Sequence, residues 1–192
     1  MIEMMRKSLK RKIRRLARRA SPRRFVRRQD GAVAVEFGLI LLPFLALMFG
    51  MMETALVFFA DQTLETAAAD SARLIMTGQA QNQSLTATTF KNQVCARIYG
   101  LFDCQNGLYV DVQTYSSFGN ISYTPPLDTH GNLVTSNFNY QPGGPGDIVV
   151  VSLYYQWPIY VSLMNLGTLA NPQGGTNRLL TATAAFRNEP YN

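Results

Sequence analysis

The chain is poor in the residues that carry catalysis and metal chemistry. It has one histidine, one tryptophan and two cysteines in 192 residues. Two thiols without nearby histidines do not complete a tetrahedral metal shell. His130 lies in Asp128-Thr129-His130-Gly131-Asn132, a turn-like run. No G-x-S-x-G nucleophile signature accompanies it. The P-loop, the dinucleotide fingerprint, the C-x-x-C redox motif and clustered metal ligands are all absent. The chain therefore reads as a non-enzyme without cofactor or metal. A membrane-tethered hydrolase working through His130 is the weakest of the readings weighed here.

Basic residues are missing from most of the chain. Residues 1–30 hold 13 Lys and Arg with two acids, Glu3 and Asp30, so they carry 13 − 2 = +11. Residues 31–192 hold five basic residues and ten acids, 5 − 10 = −5. The net +6 thus belongs to one N-terminal segment. A globular nucleic-acid-binding domain with a basic face is excluded on that split, and the basic segment has no interleaved aromatics on which bases could stack. No nucleic-acid partner is expected. Ile2, Met5, Leu9, Ile13 and Leu16 recur at helical spacing. A surface helix on anionic lipid fits that pattern, and so does a plain basic tail that orients the membrane segment.

Charge is scarce again from Ala32 to Ala60, where only Glu36 and Glu53 are ionisable. The uncharged run from Phe37 to Met52 is 16 residues. With its apolar flanks the segment reaches the roughly 20 residues that a bilayer crossing needs. Thirteen basic residues precede it and none follows until Arg73. The positive-inside rule then places the N-terminus in the cytoplasm and residues after about 60 outside it, a single pass. Met51-Met52-Glu53-Thr54 is no A-x-A cleavage site. Glu36 is costly in a membrane segment unless it finds a partner, which makes it a functional candidate.

Beyond the apolar run, Val57, Ala60, Leu64, Ala67, Ala68, Ser71, Leu74 and Ile75 recur at three- and four-residue steps. Asp61, Glu65, Thr66, Asp70 and Arg73 fill the other positions. This is an amphipathic helix with Gly78 as its stop, so one helix is expected from about 32 to 77. Cys95 and Cys104, on the outer side of the membrane, are expected to form a disulfide. Phe90 to Tyr99 reads as a short helix entering that loop. Three strands follow. Leu108, Val110 and Val112 share a face of the first, Val149, Val151, Leu153, Tyr155 and Trp157 of the second, and Leu180, Ala182, Ala184 and Phe186 of the third. The long connections 116–146 and 158–177 are expected to be binding loops or disordered. Ile159 to Leu169 is apolar enough for a short helix or a membrane-proximal patch.

Arg27-Arg28-Gln29-Asp30-Gly31-Ala32-Val33-Ala34-Val35-Glu36-Phe37 resembles the type IV prepilin cleavage region. There a basic leader ends in Gly, an apolar helix follows, and Glu stands fifth in the mature chain. Glu36-Phe37, followed by Pro43 and Glu53, looks like the TadE family of tight-adherence (Flp) pilus systems. Ala184-Ala185-Phe186-Arg187-Asn188-Glu189-Pro190-Tyr191 at the other end also looks like that family. Residues from about 79 to 177 match it by no motif. TadF-like proteins share the layout; the larger TadG does not fit this length.

The resemblance implies that a prepilin peptidase cuts between Gly31 and Ala32 and that Glu36 governs docking onto other pilin-like subunits of the Tad machinery. Pro43 is expected to kink or locally open the helix. The fold implied is α+β and pilin-like: a long N-terminal transmembrane and stalk helix packed on a small antiparallel sheet, with one disulfide. The divisions expected are a leader at 1–31, a transmembrane helix at 32–60, a stalk at 61–78 and an outer domain at 79–192. The function implied is a pseudopilin or minor pilin acting in pilus assembly or initiation. An uncleaved, signal-anchored envelope protein whose outer domain binds a partner or ligand is the alternative. Cleavage after Gly31 would leave 192 − 31 = 161 residues carrying −5, so the basic charge would belong to the precursor.

Overall fold

A computed structural model describes residues 31–98, 100, 102–122, 124–159 and 177–191. The surface helix expected within residues 1–30 lies outside the described residues, as does nearly all of Ile159 to Leu169. The chain divides into two compact units, residues 1–48 and 49–192.

Helix α1 runs from Ala32 to Met76 as one element, one residue short of the expected end. In its second half Val57, Ala60, Leu64, Ala67, Ala68, Ser71, Ala72 and Ile75 are buried. The expected stripe is there, with one exchange: Ala72 is buried while Leu74 is only half-buried. This stripe shares its core with residues of the sheet. Gly78 ends the helix with φ 74°, in the left-handed region that costs glycine nothing. Its N–H donates to the Ile75 carbonyl at 3.0 Å.

Gly78 is needed for a second reason. A Cβ at this position would collide with the Tyr191 ring. The C-terminal segment closes over the end of α1: the Glu189 N–H donates to the Met76 carbonyl at 2.9 Å, and the buried Asn188 amide donates to the carbonyls of Pro142 and Gly144. The end of the chain thus ties α1, the 142–144 turn and the last strand together.

Two short helices follow, α2 (Gln79–Asn82) and α3 (Ala87–Cys95). Helix α3 starts three residues before the expected Phe90 and stops at Cys95. Its start is set by a reciprocal cap. The Thr86 hydroxyl accepts from the Thr89 N–H at 3.2 Å, and the Thr89 hydroxyl accepts from the Thr86 N–H at 2.7 Å. Cys95 and Cys104 are bonded, with Cα atoms 5.6 Å apart. Closing so short a loop stabilises the fold by about 2–3 kcal/mol in chain-entropy terms. The bridge also fixes Phe102, whose ring lies 4.2 Å from Tyr155 and 6.3 Å from Trp157.

Asp103 caps α4 (Cys104–Gly107), which leads into the sheet. Strands β1 (Leu108–Tyr115), β2 (Ile148–Pro158) and β3 (Asn177–Arg187) form an antiparallel sheet in the order β1-β2-β3. The registers Val112↔Val151 and Val151↔Ala184 align all three. Val149, Val151, Leu153, Tyr155 and Trp157 join the α1 stripe, Phe90, Val94, Leu108, Val112, Leu180 and Ala182 in one core. The fold is α+β, as expected.

The other face of the sheet is also covered. Val150, Ser152 and Tyr154 on β2 and Asp111 on β1 are buried there. The 116–146 connection does the covering. Its Asn139 N–H donates to Asp111 Oδ1 at 2.8 Å. Val112 exchanges backbone bonds of 2.8 Å with Asn139 and Gln141, and Phe138 stacks on Tyr154 at 5.1 Å. The segment is a packed second layer, with the short 3-10 turn Phe118–Asn120 at its start.

Gly78→Ala should lower stability by about 1–3 kcal/mol, through the left-handed backbone and the Tyr191 collision together. Thermal unfolding of the double variant Gly78→Ala/Tyr191→Ala checks the division: removing the ring should not restore the wild-type midpoint, because the backbone strain remains.

Candidate functional site

Three sequence-predicted site residues lie in the first half of α1, and a fourth, Gly31, immediately precedes it. Gly31 is exposed, and a Cβ there would meet nothing within 4 Å. The folded chain therefore imposes no steric demand for glycine at this position. Ala32 is the first residue of α1.

Glu36 is one helical turn beyond Ala32, on the same face at i, i+4 spacing. It is exposed. Among the described residues no hydrogen bond or ion pair is found for it. Its surroundings are apolar: Val33, Val35, Phe37 and Ile40 are 62–71 % exposed. None of the segment's most apolar window is buried among the described residues. By length and composition α1 can cross a membrane. The buried core helix of a soluble protein would show the opposite burial.

Pro43 lies two turns after Glu36, on nearly the same face. It has no N–H to give the Leu39 carbonyl, yet α1 continues through it as one element.

The exposed apolar side chains continue through Phe58 and Phe59, at 60 % and 62 % exposure. On the opposite side of the same turn, Val57 and Ala60 enter the core. Asp61 follows as the first acid after Glu53. Burial, and next the nearby Glu65, hold its carboxyl above the usual carboxylate range, while Arg178 on β3 pulls the other way. Because the folded state holds this proton more tightly than the unfolded state, the ionised carboxylate is a cost. Stability is lost as pH rises from the unfolded pKa through the raised folded one.

Cys95 and Cys104, the remaining predicted pair, form the expected bridge and lie far along the chain from the Gly31–Pro43 cluster. His130 lies in the expected turn, its N–H donating to Asp128 Oδ1 at 2.8 Å. Asp128 also accepts from the Asn132 backbone and side chain, and these bonds from Asn132 hold its carboxyl below the usual range. The sequence reading missed two structural anchors, Asp111 and Tyr191. Asp111 reads as an outward polar residue in an alternating strand. Nothing local shows that another segment binds it.

Asp61→Asn should raise the unfolding midpoint near pH 7 and leave it close to wild type below about pH 4, where the carboxyl is protonated in both states. Calorimetry at the two pH values checks the sign.

The TadE-like protein family model matches residues 31–73, which run from Gly31 through most of α1. No curated protein and no solved structure matches the chain. The matched stretch contains Gly31, Ala32, Glu36 and Pro43 and stops short of the sheet, the disulfide and the packed 116–146 layer. Over residues 31–73 the chain is similar to TadE-like proteins.

Proposed function

We propose that this protein is a membrane-anchored, pilin-like component of a bacterial tight-adherence pilus system, a pseudopilin or minor pilin acting in pilus assembly or initiation. The observation that carries the reading is a TadE-like match that opens on Gly31, with Glu36 fifth from Ala32 on an apolar helix that the described residues leave uncovered. A prepilin peptidase cuts the Gly31–Ala32 bond at the cytoplasmic face of the inner membrane, where the basic leader holds it. The new Ala32 α-ammonium and the Glu36 carboxylate are then one turn apart. Each charge is expensive at the edge of hydrocarbon, and the pair is less so.

Pairing within one chain neutralises both groups. Pairing between chains does the same and brings two apolar helices side by side, which is how processing would license assembly. The leader's +11 opposes that packing until it is removed. Lipid, the peptidase and other pilin-like subunits are the partners of this segment. Residues 32–60 span the membrane, 61–78 carry the helix out of it, and 79–192 form the outer domain.

Gly31→Arg should abolish the loss of residues 1–31 in cells that contain the matching peptidase, read by intact mass. A full-length wild-type chain in those cells would sink the processing step and leave the uncleaved anchor as the better reading. Glu36→Ala should still be cut but should lower surface piliation severalfold. Normal piliation in that variant would remove the pairing argument while leaving cleavage intact.

A further inference from the structure

The packed 116–146 layer does not close fully on the sheet. Between them lies a half-enclosed cleft of about 430 Å³, within the roughly 300–1,000 Å³ of small-molecule sites. On the sheet side it presents the polar groups Asp111, Gln113, Ser152 and Thr183 beside Val150 and the Tyr115 and Tyr154 rings. On the loop side it presents mainly apolar ones: Ile121, Pro125, Leu127, Val134 and Phe138. A layer that served only to insulate the sheet would put apolar groups against apolar groups and leave no gap. Here hydroxyls and an amide share an open space with an apolar wall.

The wall is held in place without an occupant. Pro125 and Pro126 restrict the backbone. The Val134 N–H donates to the Pro126 carbonyl at 2.8 Å, and Leu127 bridges Leu133. Asp128 accepts three hydrogen bonds in the turn that joins them. The floor is ordered too. Gln113 donates to Asp111 Oδ2 at 2.8 Å, and Ser152 and Thr183 lie 3.4 Å apart. Ser122, Thr124 and Asn137 also line the cleft, and their side chains spend no hydrogen bond on the described residues. Preorganised walls and unspent donors lower the ordering cost that a ligand would otherwise meet.

Charge narrows the ligand. Asp111 is the single ionisable carboxylate among the described lining residues, and no Lys, Arg or His lines the cleft. That environment rejects anions. Asp111 already accepts from Asn139 and Gln113, so its charge is solvated by the protein and requires no cation. What remains is a neutral ligand with many hydroxyls and an apolar face.

We propose that this cleft binds a neutral saccharide of one or two rings. Its C–H face lies on Phe138, Leu127 and Val134, and its hydroxyls bond Ser122, Thr124, Asn137 and the Ser152–Thr183 pair. The outer domain is then a sugar-recognising module, which does not depend on whether the chain is cut after Gly31.

The test uses the full-length protein in detergent or nanodiscs, titrated by calorimetry and ligand-observed NMR. The probes are the neutral disaccharides chitobiose, cellobiose and lactose, with glucuronic acid and glucosamine as anionic and cationic controls. Saturable binding of at least one neutral disaccharide in the millimolar range or tighter is expected. Val134→Trp, which fills the cleft from an exposed position, should weaken it by about tenfold or more at an unchanged unfolding midpoint. The double variant Ser122→Ala/Asn137→Ala, which adds no bulk, should also weaken it. Absence of binding by every neutral probe to folded protein overturns the proposal. So does binding that both variants leave unchanged, or a preference for either charged control.

Discussion

The structure depends on one constraint, an apolar surface on the first half of α1 that the described residues leave uncovered. The first half of α1 leaves Val33, Phe37, Ile40, Leu42 and Met51 between 62 % and 71 % exposed. Apolar area costs roughly 25 cal/mol for each Å² left in water, and by length and composition this helix can instead lie across a membrane. Glu36 stands within that surface with no hydrogen bond or ion pair among the described residues, which is why the proposed pairing centres on it.

The change from uncovered to covered takes place within one turn. Val57 and Ala60 enter the core while Phe58 and Phe59 stay outside. Before that turn the helix is exposed and apolar, as a membrane-crossing segment can be. After it, Leu64, Ala67, Ala68 and Ile75 are buried in the core that they share with β2. Asp61 stands at the boundary, and its disfavoured charge reflects that placement. The far end of α1 is secured by Gly78 against Tyr191 and by the Glu189–Met76 bond. The C-terminal segment therefore has a mechanical role, locking the end of α1 to the sheet-bearing domain.

Much of this was legible in the residues. The three- and four-residue recurrence located α1 to within one residue of its end, because helical period and an αL glycine are local signals. The alternation in β1, β2 and β3 assigned their core faces for the same reason. The pairing of Cys95 with Cys104 followed from there being only two cysteines on one side of a membrane. What was not legible depends on contacts between distant segments. Helix α3 begins at Ala87 because Thr86 and Thr89 cap each other, and a threonine at that third position is a weaker signal than glutamate. The burial of Asp111, Ser152 and Tyr154 required knowing that 116–146 folds back over the sheet. Its Gly, Pro and Asn content reads equally well as an open loop. The cleft behind the sheet arises from that same long-range packing.

The claim on which the rest hangs is that Gly31–Ala32 is a processing junction, so that Glu36 meets an ammonium rather than a continuous backbone. N-terminal sequencing of the protein recovered from the membranes of cells carrying a Tad system tests it most directly. The account predicts a chain beginning Ala-Val-Ala-Val-Glu, with residues 1–31 gone. A chain that still begins at Met1, or one cut at any other bond, would contradict it.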